Sequence, residues 1–490
     1  MRDSLFHLTP VENVSLQSQI REMLVTIILE ARIPKGEPLP SSRNMAKTLG
    51  VSRNTVVLTY QGLVDDGYLV ARERSGFYVN PEILNGRPTT KYLKNTVSET
   101  APDWDARFRV RPSNQENIVK PTDWRLFRYP FIYGQVDEEL FPVNAWRECS
   151  RQALGRRGMD AWTGDSRERD DPMLVEQIRT RLLPRRGIYA DTDEILITMG
   201  AQNALYLLSS LLMTPTTSVI MEEPGYTDAR NIFALKTPRI TLVPVDERGL
   251  PVDDRLDEAN YVFTTPSHQF PTTVTMPMER REALLLKAAT QDFVIIEDDY
   301  EAETNYVKDP TPALKTLDQD GHVIYVGSLS KTMFPGLRLG YLVASRQLIA
   351  EARSLRRLML RHAPNNNQRT AALFLSLGYH DTLVNRLHRA YRERWREMGE
   401  ALQTYMPNST RQPTFGGTSF WVKGPTGICG DELAAVAKTH DVIIEPGSVH
   451  FGETPKPRNY FRLGFSSISE KDIKSGIKAL SKSVDELVSL

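Results

Sequence analysis

The sequence predicts an α/β protein: an N-terminal winged helix-turn-helix followed by a large module on a mainly parallel sheet with helices on both faces. Three observations carry this. Between Ser15 and Gly67, apolar residues recur at helical spacing in three runs, and a short hairpin pattern follows. After Phe131, short apolar runs alternate with helical stretches, as in a parallel sheet with crossover helices. Polar or special residues then follow the carboxyl end of one apolar run after another, where open α/β sheets hold ligands.

A chain of 490 residues is too long for one core and should divide into two or three domains. Its 61 basic and 61 acidic residues cancel, so any nucleic-acid contact must come from a local patch. Two cysteines, Cys149 and Cys429, make no disulfide framework, and no cysteine–histidine spacing suggests zinc; a reducing, cytoplasmic setting is expected. Met1 to His7 lacks the apolar core of a signal peptide. Apolar stretches such as Ala204 to Met213 fall short of the roughly 20 residues a membrane helix needs, so no membrane is expected as a partner.

In residues 1–80, Leu16, Ile20, Leu24 and Ile27/Ile28 share one helical face, and Pro34 and Gly36 end it. Ser41 and Ser42 open a second short helix that Gly50 closes, and Ser52 can cap a third. That third helix begins Ser52-Arg53-Asn54-Thr55, putting polar and cationic groups where a recognition helix meets base edges and phosphates. Tyr68 to Ala71 and Gly76 to Val79 form a hairpin, with Arg72 and Arg74 at its tip. Residues 81–125 read as a linker, punctuated by Asn85-Gly86, Pro88, Asn95 and Pro112. As a coil its ends would lie roughly 35 Å apart, far enough to reach a partner subunit. Within it Trp104, Phe108 and Trp124 are apolar enough to pack on a neighbouring surface.

From 126 to 490 the candidate strands are Ile195–Thr198, Val219–Met221, Ile240–Val245, Tyr261–Thr265, Phe293–Ile296, Val323–Val326 and Leu339–Val343. Ala201 and Gln202 follow the first at the start of a helix, whose free N–H groups suit a phosphate. Tyr226 follows the second, His268 the fourth, Asp298 and Tyr300 the fifth, and Ser328, Ser330 and Lys331 the sixth. Seven residues past Lys331 stands Arg338. An amine able to attack a carbonyl, beside hydroxyls and a guanidinium suited to a phosphate, asks for a phosphorylated aldehyde. Pyridoxal 5'-phosphate is that ligand. Asp298 can hold its pyridine nitrogen, Tyr300 its ring oxygen, and Tyr226 can stack on the ring; Ala201, Gln202, Ser328, Ser330 and Arg338 can take the phosphate.

Two stretches carry a family resemblance. Leu39 to Val56, with Gly67-Tyr68-Leu69, resembles the winged helix of the GntR family almost residue for residue. That likeness implies DNA contacts from Arg43, Arg53 and Thr55, and a wing that Gly76 lets approach the minor groove. Ser328 to Gly340, with Tyr226, Asp298, Tyr300 and Thr264 to Gln269, resembles fold-type I aminotransferases. Together they resemble the MocR/GabR family of bacterial transcription regulators.

The resemblance implies Lys331 as the Schiff-base lysine and Arg462 as the anchor of an effector carboxylate. It further implies a smaller C-terminal α+β subdomain over about 385–490 and a homodimer in which winged helices can be exchanged between subunits. Sensing of an amino compound by aldimine exchange at Lys331, rather than enzymatic turnover, is the function expected; an aminotransferase with an accessory winged helix is the alternative. Two departures stand out. Phe270-Pro271-Thr272-Thr273 replaces the Asn-Pro-Thr-Gly of many such aminotransferases, leaving His268 or Gln269 to supply the missing ring-oxygen contact. Asp228 stands where some relatives carry arginine, and a carboxylate there favours an amine over a second acid in the effector.

Overall fold

A computed structural model describes the chain except residues 1–4, 9–10, 12–13, 35, 85–101, 157, 165–168, 308–310 and 490. The linker punctuation at Asn85-Gly86, Pro88 and Asn95 and the first four residues therefore lie outside the described residues. The chain divides into two compact units, Met1–Ala106 and Arg107–Leu490.

The smaller unit holds α1 (Leu16–Leu29), α2 (Ser42–Leu49), α3 (Arg53–Asp65) and the antiparallel pair β1 (Leu69–Arg72) and β2 (Gly76–Val79). Local chemistry sets its boundaries. Ser15, Ser41 and Ser52 cap the three helices by accepting backbone N–H bonds from Ser18, Asn44 and Thr55. Gly50 ends α2 in the left-handed region at φ 65°, which glycine enters without the Cβ penalty. Ile20, Leu24, Ile28, Met45, Val56, Tyr60 and Leu63 then close one small core.

The larger unit opens with the short β3 (Tyr129–Pro130), paired in parallel with Val442–Ile443, and is built on a seven-stranded sheet: β4 (Ile195–Thr198), β5 (Val219–Glu223), β6 (Ile240–Pro244), β7 (Tyr261–Thr264), β8 (Val294–Asp299), β9 (Val323–Ser328) and β10 (Gly340–Val343). Their spatial order is β4-β10-β9-β8-β7-β5-β6, parallel except for β10, which runs antiparallel to both neighbours. All seven expected strands are present. Consecutive residues feed opposite faces. Phe263, Ile296 and Ile324 pack with Leu205 and Leu208 of the helix Ala201–Leu212 and with Phe233. Val262, Ile295 and Val323 pack with Leu284 and Ala288 of the helix Met278–Gln291. The inner strands are thus covered on both sides and begin as continuous apolar runs, whereas the edge strand β6 leaves Thr241 and Pro244 exposed.

Past the long helix Tyr379–Tyr405, a second sheet has the strands Ser419–Lys423, Tyr460–Gly464 and Glu445–Pro446, packed with the helices Gly430–Thr439 and Glu470–Val488. The stretch from Arg107 belongs to this larger unit: Gln115 Nε2 donates to the Asn231 carbonyl at 3.0 Å and Lys120 Nζ to that of Tyr133 at 2.7 Å. Trp104 and Phe108, expected to pack on a neighbour, are 63% and 55% exposed in the single chain. None of the described helices is long and apolar enough to cross a membrane.

Candidate functional site

In the smaller unit Arg43, Ser52, Arg53 and Asn54 are exposed and Thr55 is half-buried. The Ser52 cap fixes the start of α3, and the Arg53 Nε lies 3.4 Å from Ser42 Oγ, so the opening turns of α2 and α3 present one polar edge. On the hairpin Arg72 is exposed and lies over Tyr78 at 4.4 Å from the ring centroid; Gly76 has φ 110°, closed to ordinary side chains. Free N–H groups and cations at a helix start suit phosphate and base contacts.

In the larger unit a cavity of about 360 Å³ opens at the carboxyl ends of the strands. Its wall brings together Ala201, Gln202, Tyr226, Asp228, Asp298, Tyr300, Ser328, Ser330, Lys331, Arg338 and Arg462, residues up to 261 positions apart in the chain, as Ala201 and Arg462 are. His268 is the exception. It is buried beneath the wall, with Nε2 3.2 Å from Glu301 Oε2, so the expected contact from this imidazole is not available. Gln269 is turned away as well: its Nε2 donates to Glu222 and to the carbonyls of Pro224 and Phe270.

Strand alternation decides the role of three consecutive carboxylates. β8 runs on through Glu297, Asp298 and Asp299, beyond the expected end at Ile296. Glu297 faces one side and accepts the N–H groups of Leu314 and Lys315 at 2.8 and 2.9 Å. Asp299, on that same side, holds Arg186 Nε at 2.7 Å and the Tyr325 hydroxyl at 2.9 Å. Asp298 points the other way, into the cavity wall, and its Oδ1 is buried without a partner. Burial, with the Asp299 charge next to it, pushes the Asp298 carboxyl up to about 7. A cationic ring nitrogen would supply the missing donor.

Lys331 sits in the turn between Ser328 of β9 and Gly340 of β10, which are register partners. Its Nζ is 3.9 Å from the Tyr133 ring centroid and 5.9 Å from that of Tyr300. Burial and then the Lys120 charge push its pKa down to about 7, so a large fraction is the neutral, nucleophilic amine near neutral pH. Elsewhere in the wall Gly200, at φ 84°, opens the helix Ala201–Leu212 with no side-chain cap on its first N–H groups. A Cβ there would come within 3.3 Å of Arg338 Nη2, whose guanidinium donates to the Met199 carbonyl at 2.9 Å. The helix start, Ser328, Ser330 and Arg338 line one cavity, and donors of these kinds suit an anion.

Several wall residues went unread in the sequence, among them Lys120, Tyr133 and Gly134, and Phe270 stands out there only as a departure from the Asn-Pro-Thr-Gly pattern. Phe270, where the Asn-Pro-Thr-Gly pattern has asparagine, is an aromatic hub, edge-on to Tyr226 at 5.2 Å, Tyr300 at 5.7 Å and His450 at 5.1 Å. The polar contact of that pattern is replaced by packing. Tyr133 follows the apolar pair Phe131-Ile132, a strand-end signal of the kind used for Lys331. Lys120 gave no such signal. Asp228 accepts from Gln202 Nε2 at 2.5 Å and lies 3.3 Å from the Tyr226 hydroxyl. Arg462 donates through Nε and Nη2 to Glu445 Oε2, opposite it on the neighbouring strand.

The folds and the cavity define a class: a helix-turn-helix regulator of the GntR type carrying a fold-type I aminotransferase domain. Residues 142–480 match the aminotransferase class I and II family and residues 16–79 the gntR family of bacterial regulatory proteins, and the chain belongs to the MocR/GabR regulators that join the two. It is 43% identical over 482 residues to the HTH-type transcriptional regulator TauR of Rhodobacter capsulatus, covering 98% of each chain. It is 30% identical to the probable rhizopine catabolism regulatory protein MocR of Rhizobium meliloti, over 96% of this chain and 93% of that one. Among solved structures it is similar to LysN of Thermus thermophilus, an α-aminoadipate aminotransferase complexed with N-(5'-phosphopyridoxyl)-L-leucine. That match has a TM-score of 0.70 and 26% identity, over 79% of this chain and 100% of that one. The chain is thus a transcriptional regulator by family, and its fold family implies pyridoxal phosphate.

Proposed function

We propose that this regulator binds pyridoxal 5'-phosphate in the cavity and senses a small amino compound there. The observation that carries the reading is the unpartnered buried oxygen of Asp298 in the same cavity as an amine, Lys331, whose pKa burial has lowered to about 7. Bound there, the cofactor would supply an aldehyde carbon open to primary amines, that of Lys331 and that of an effector. Asp298 would hold the pyridinium proton, Tyr300 would serve the ring oxygen and Tyr226 would lie against the ring. The helix start at Ala201 and Gln202, with Ser328, Ser330 and Arg338, would hold the phosphate.

What an effector amine changes in the chain itself is Lys331: tied in one state, it is a free amine beside Tyr133 in the other. The expected division is 1–80 for DNA, 81–125 as linker and 126–490 for the effector, in a homodimer able to exchange its winged helices. Because the stretch from Arg107 packs with the larger unit and Lys120 lines its cavity, we assign that part of the linker to the effector domain. Regulation then requires that the effector bind two conformations with different affinity, since equal affinity shifts nothing. Sensing without turnover is the reading favoured by relatives named as regulators.

The test uses purified full-length protein mixed with pyridoxal 5'-phosphate. Wild type should gain a visible absorption band that borohydride fixes onto the peptide carrying Lys331, and Lys331→Ala should show neither. A wild type that stays colourless overturns the reading. Sustained conversion of an amino donor and keto acceptor at about 1 s⁻¹ or faster would establish the enzyme instead.

A further inference from the structure

Lys120 lies between the two family-matched regions, 16–79 and 142–480, yet it stands in the cavity wall. Its Nζ donates to the Tyr133 carbonyl at 2.7 Å and lies 5.5 Å from the ring centroid of Tyr133. An ammonium has three donors, so two remain for a ligand. A Cβ on Gly134 would fall 2.9 Å from Lys120 Nζ and 3.0 Å from Lys331 Nζ, so the two amines flank one point, and only a glycine leaves that point open. Arg462 approaches the same tyrosine, with Cζ 3.8 Å from its centroid.

Lys120, Lys331 and Arg462 therefore surround Tyr133, and the carboxylates nearest Lys120 are engaged elsewhere. Glu445 is closed on Arg462, and Asp228 is held by Gln202 and Tyr226. Among the described residues Lys120 makes no ion pair within 4 Å. Burial lowers its pKa, with the Glu445 charge acting against that. A half-buried ammonium without a counter-ion is destabilising, and an anion placed on it would relieve the cost.

We infer that Lys120 is a specificity residue that receives the oxyanion end of the effector while the effector's primary amine is directed at the place of Lys331. The ligand class is a short molecule with an amine at one end and a carboxylate or similar oxyanion at the other. This rests on the amine-sensing reading above. Arg462, held by Glu445, is left as a secondary contact.

The experiment titrates full-length protein loaded with pyridoxal 5'-phosphate with β-alanine, n-propylamine and propionate, using calorimetry and the visible band. Wild type should bind β-alanine at least about tenfold more tightly than n-propylamine, the size expected of a charge-assisted hydrogen bond. Lys120→Gln should abolish that preference by weakening β-alanine and propionate about tenfold while leaving n-propylamine within about twofold. Lys120→Arg should restore most of it. A Lys120→Gln protein that keeps the wild-type preference, or weakens all three probes alike, overturns the inference, as does a wild type that binds neither acid. If instead no amine moves the visible band while propionate binding still depends on Lys120, the amine-sensing reading fails and the acid site stands.

Discussion

Arg462 and Glu445 close on each other inside the second sheet: Nε and Nη2 of the arginine meet one carboxylate oxygen at 3.0 and 2.7 Å, and the side chains are 1% and 5% exposed. The guanidinium that family likeness makes an acid anchor is thus engaged by its own cross-strand neighbour. Glu445→Gln should destabilise the protein by about 3 kcal/mol, because it leaves a buried charge uncompensated. The same change should tighten propionate binding by about tenfold, because the fork is released. Urea melts and calorimetry read the two effects separately, and unchanged acid affinity would show that Arg462 does not face the ligand.

The cofactor-free protein should have a pH-dependent stability that two variants take apart. Asp298 is raised to about 7, so between pH 4 and 7 the folded state holds a proton that the unfolded state has lost, and stability falls as pH rises. Lys331 is lowered to about 7, so between pH 7 and 10 the unfolded state holds the extra proton, and stability rises with pH. Each of these two shifts amounts to at most about 5 kcal/mol. Glu297 and Glu303, also raised to about 7 by burial, add to the acid limb, and Lys120, lowered by burial, to the alkaline one. Asp298→Asn should therefore remove only its own share of the first and Lys331→Met its share of the second, read as wild-type-minus-variant melting temperature against pH.

Thr273 occupies the left-handed region at φ 67°, where the Asn-Pro-Thr-Gly pattern has glycine, and its N–H donates to the Gln269 carbonyl at 2.7 Å. A β-branched residue there is strained by about 1–2 kcal/mol, partly offset by the larger unfolded entropy of glycine. Thr273→Gly should therefore stabilise the protein by about 0.5–1 kcal/mol, whereas Thr273→Ala should not. Thermal melts of the two variants decide it.

On the winged helix, Arg53→Ala should weaken binding to upstream DNA by about 1–3 kcal/mol, and Arg72→Ala should lower the slope of log affinity against log salt by about one. Gel shifts over a salt series measure both. Variants that bind like wild type at every salt concentration would remove these arginines from the DNA contact.

Much of this was legible in the sequence because it is local. Serine caps and Gly50 mark the helices of the DNA-reading unit, and apolar runs followed by polar residues mark seven strands with their ligand-bearing ends. Lys331, Ser328, Ser330 and Arg338 lie within eleven positions of chain and announce an aldehyde and a phosphate together. Tertiary structure alone decided which carboxylate of Glu297-Asp298-Asp299 faces the cavity, because that depends on how far β8 extends in its pairing with β9. It also turned His268 onto Glu301, made Phe270 an aromatic hub and brought Lys120 beside Lys331. Those contacts join residues tens to hundreds of positions apart, and periodicity over a few turns of chain holds no information about them.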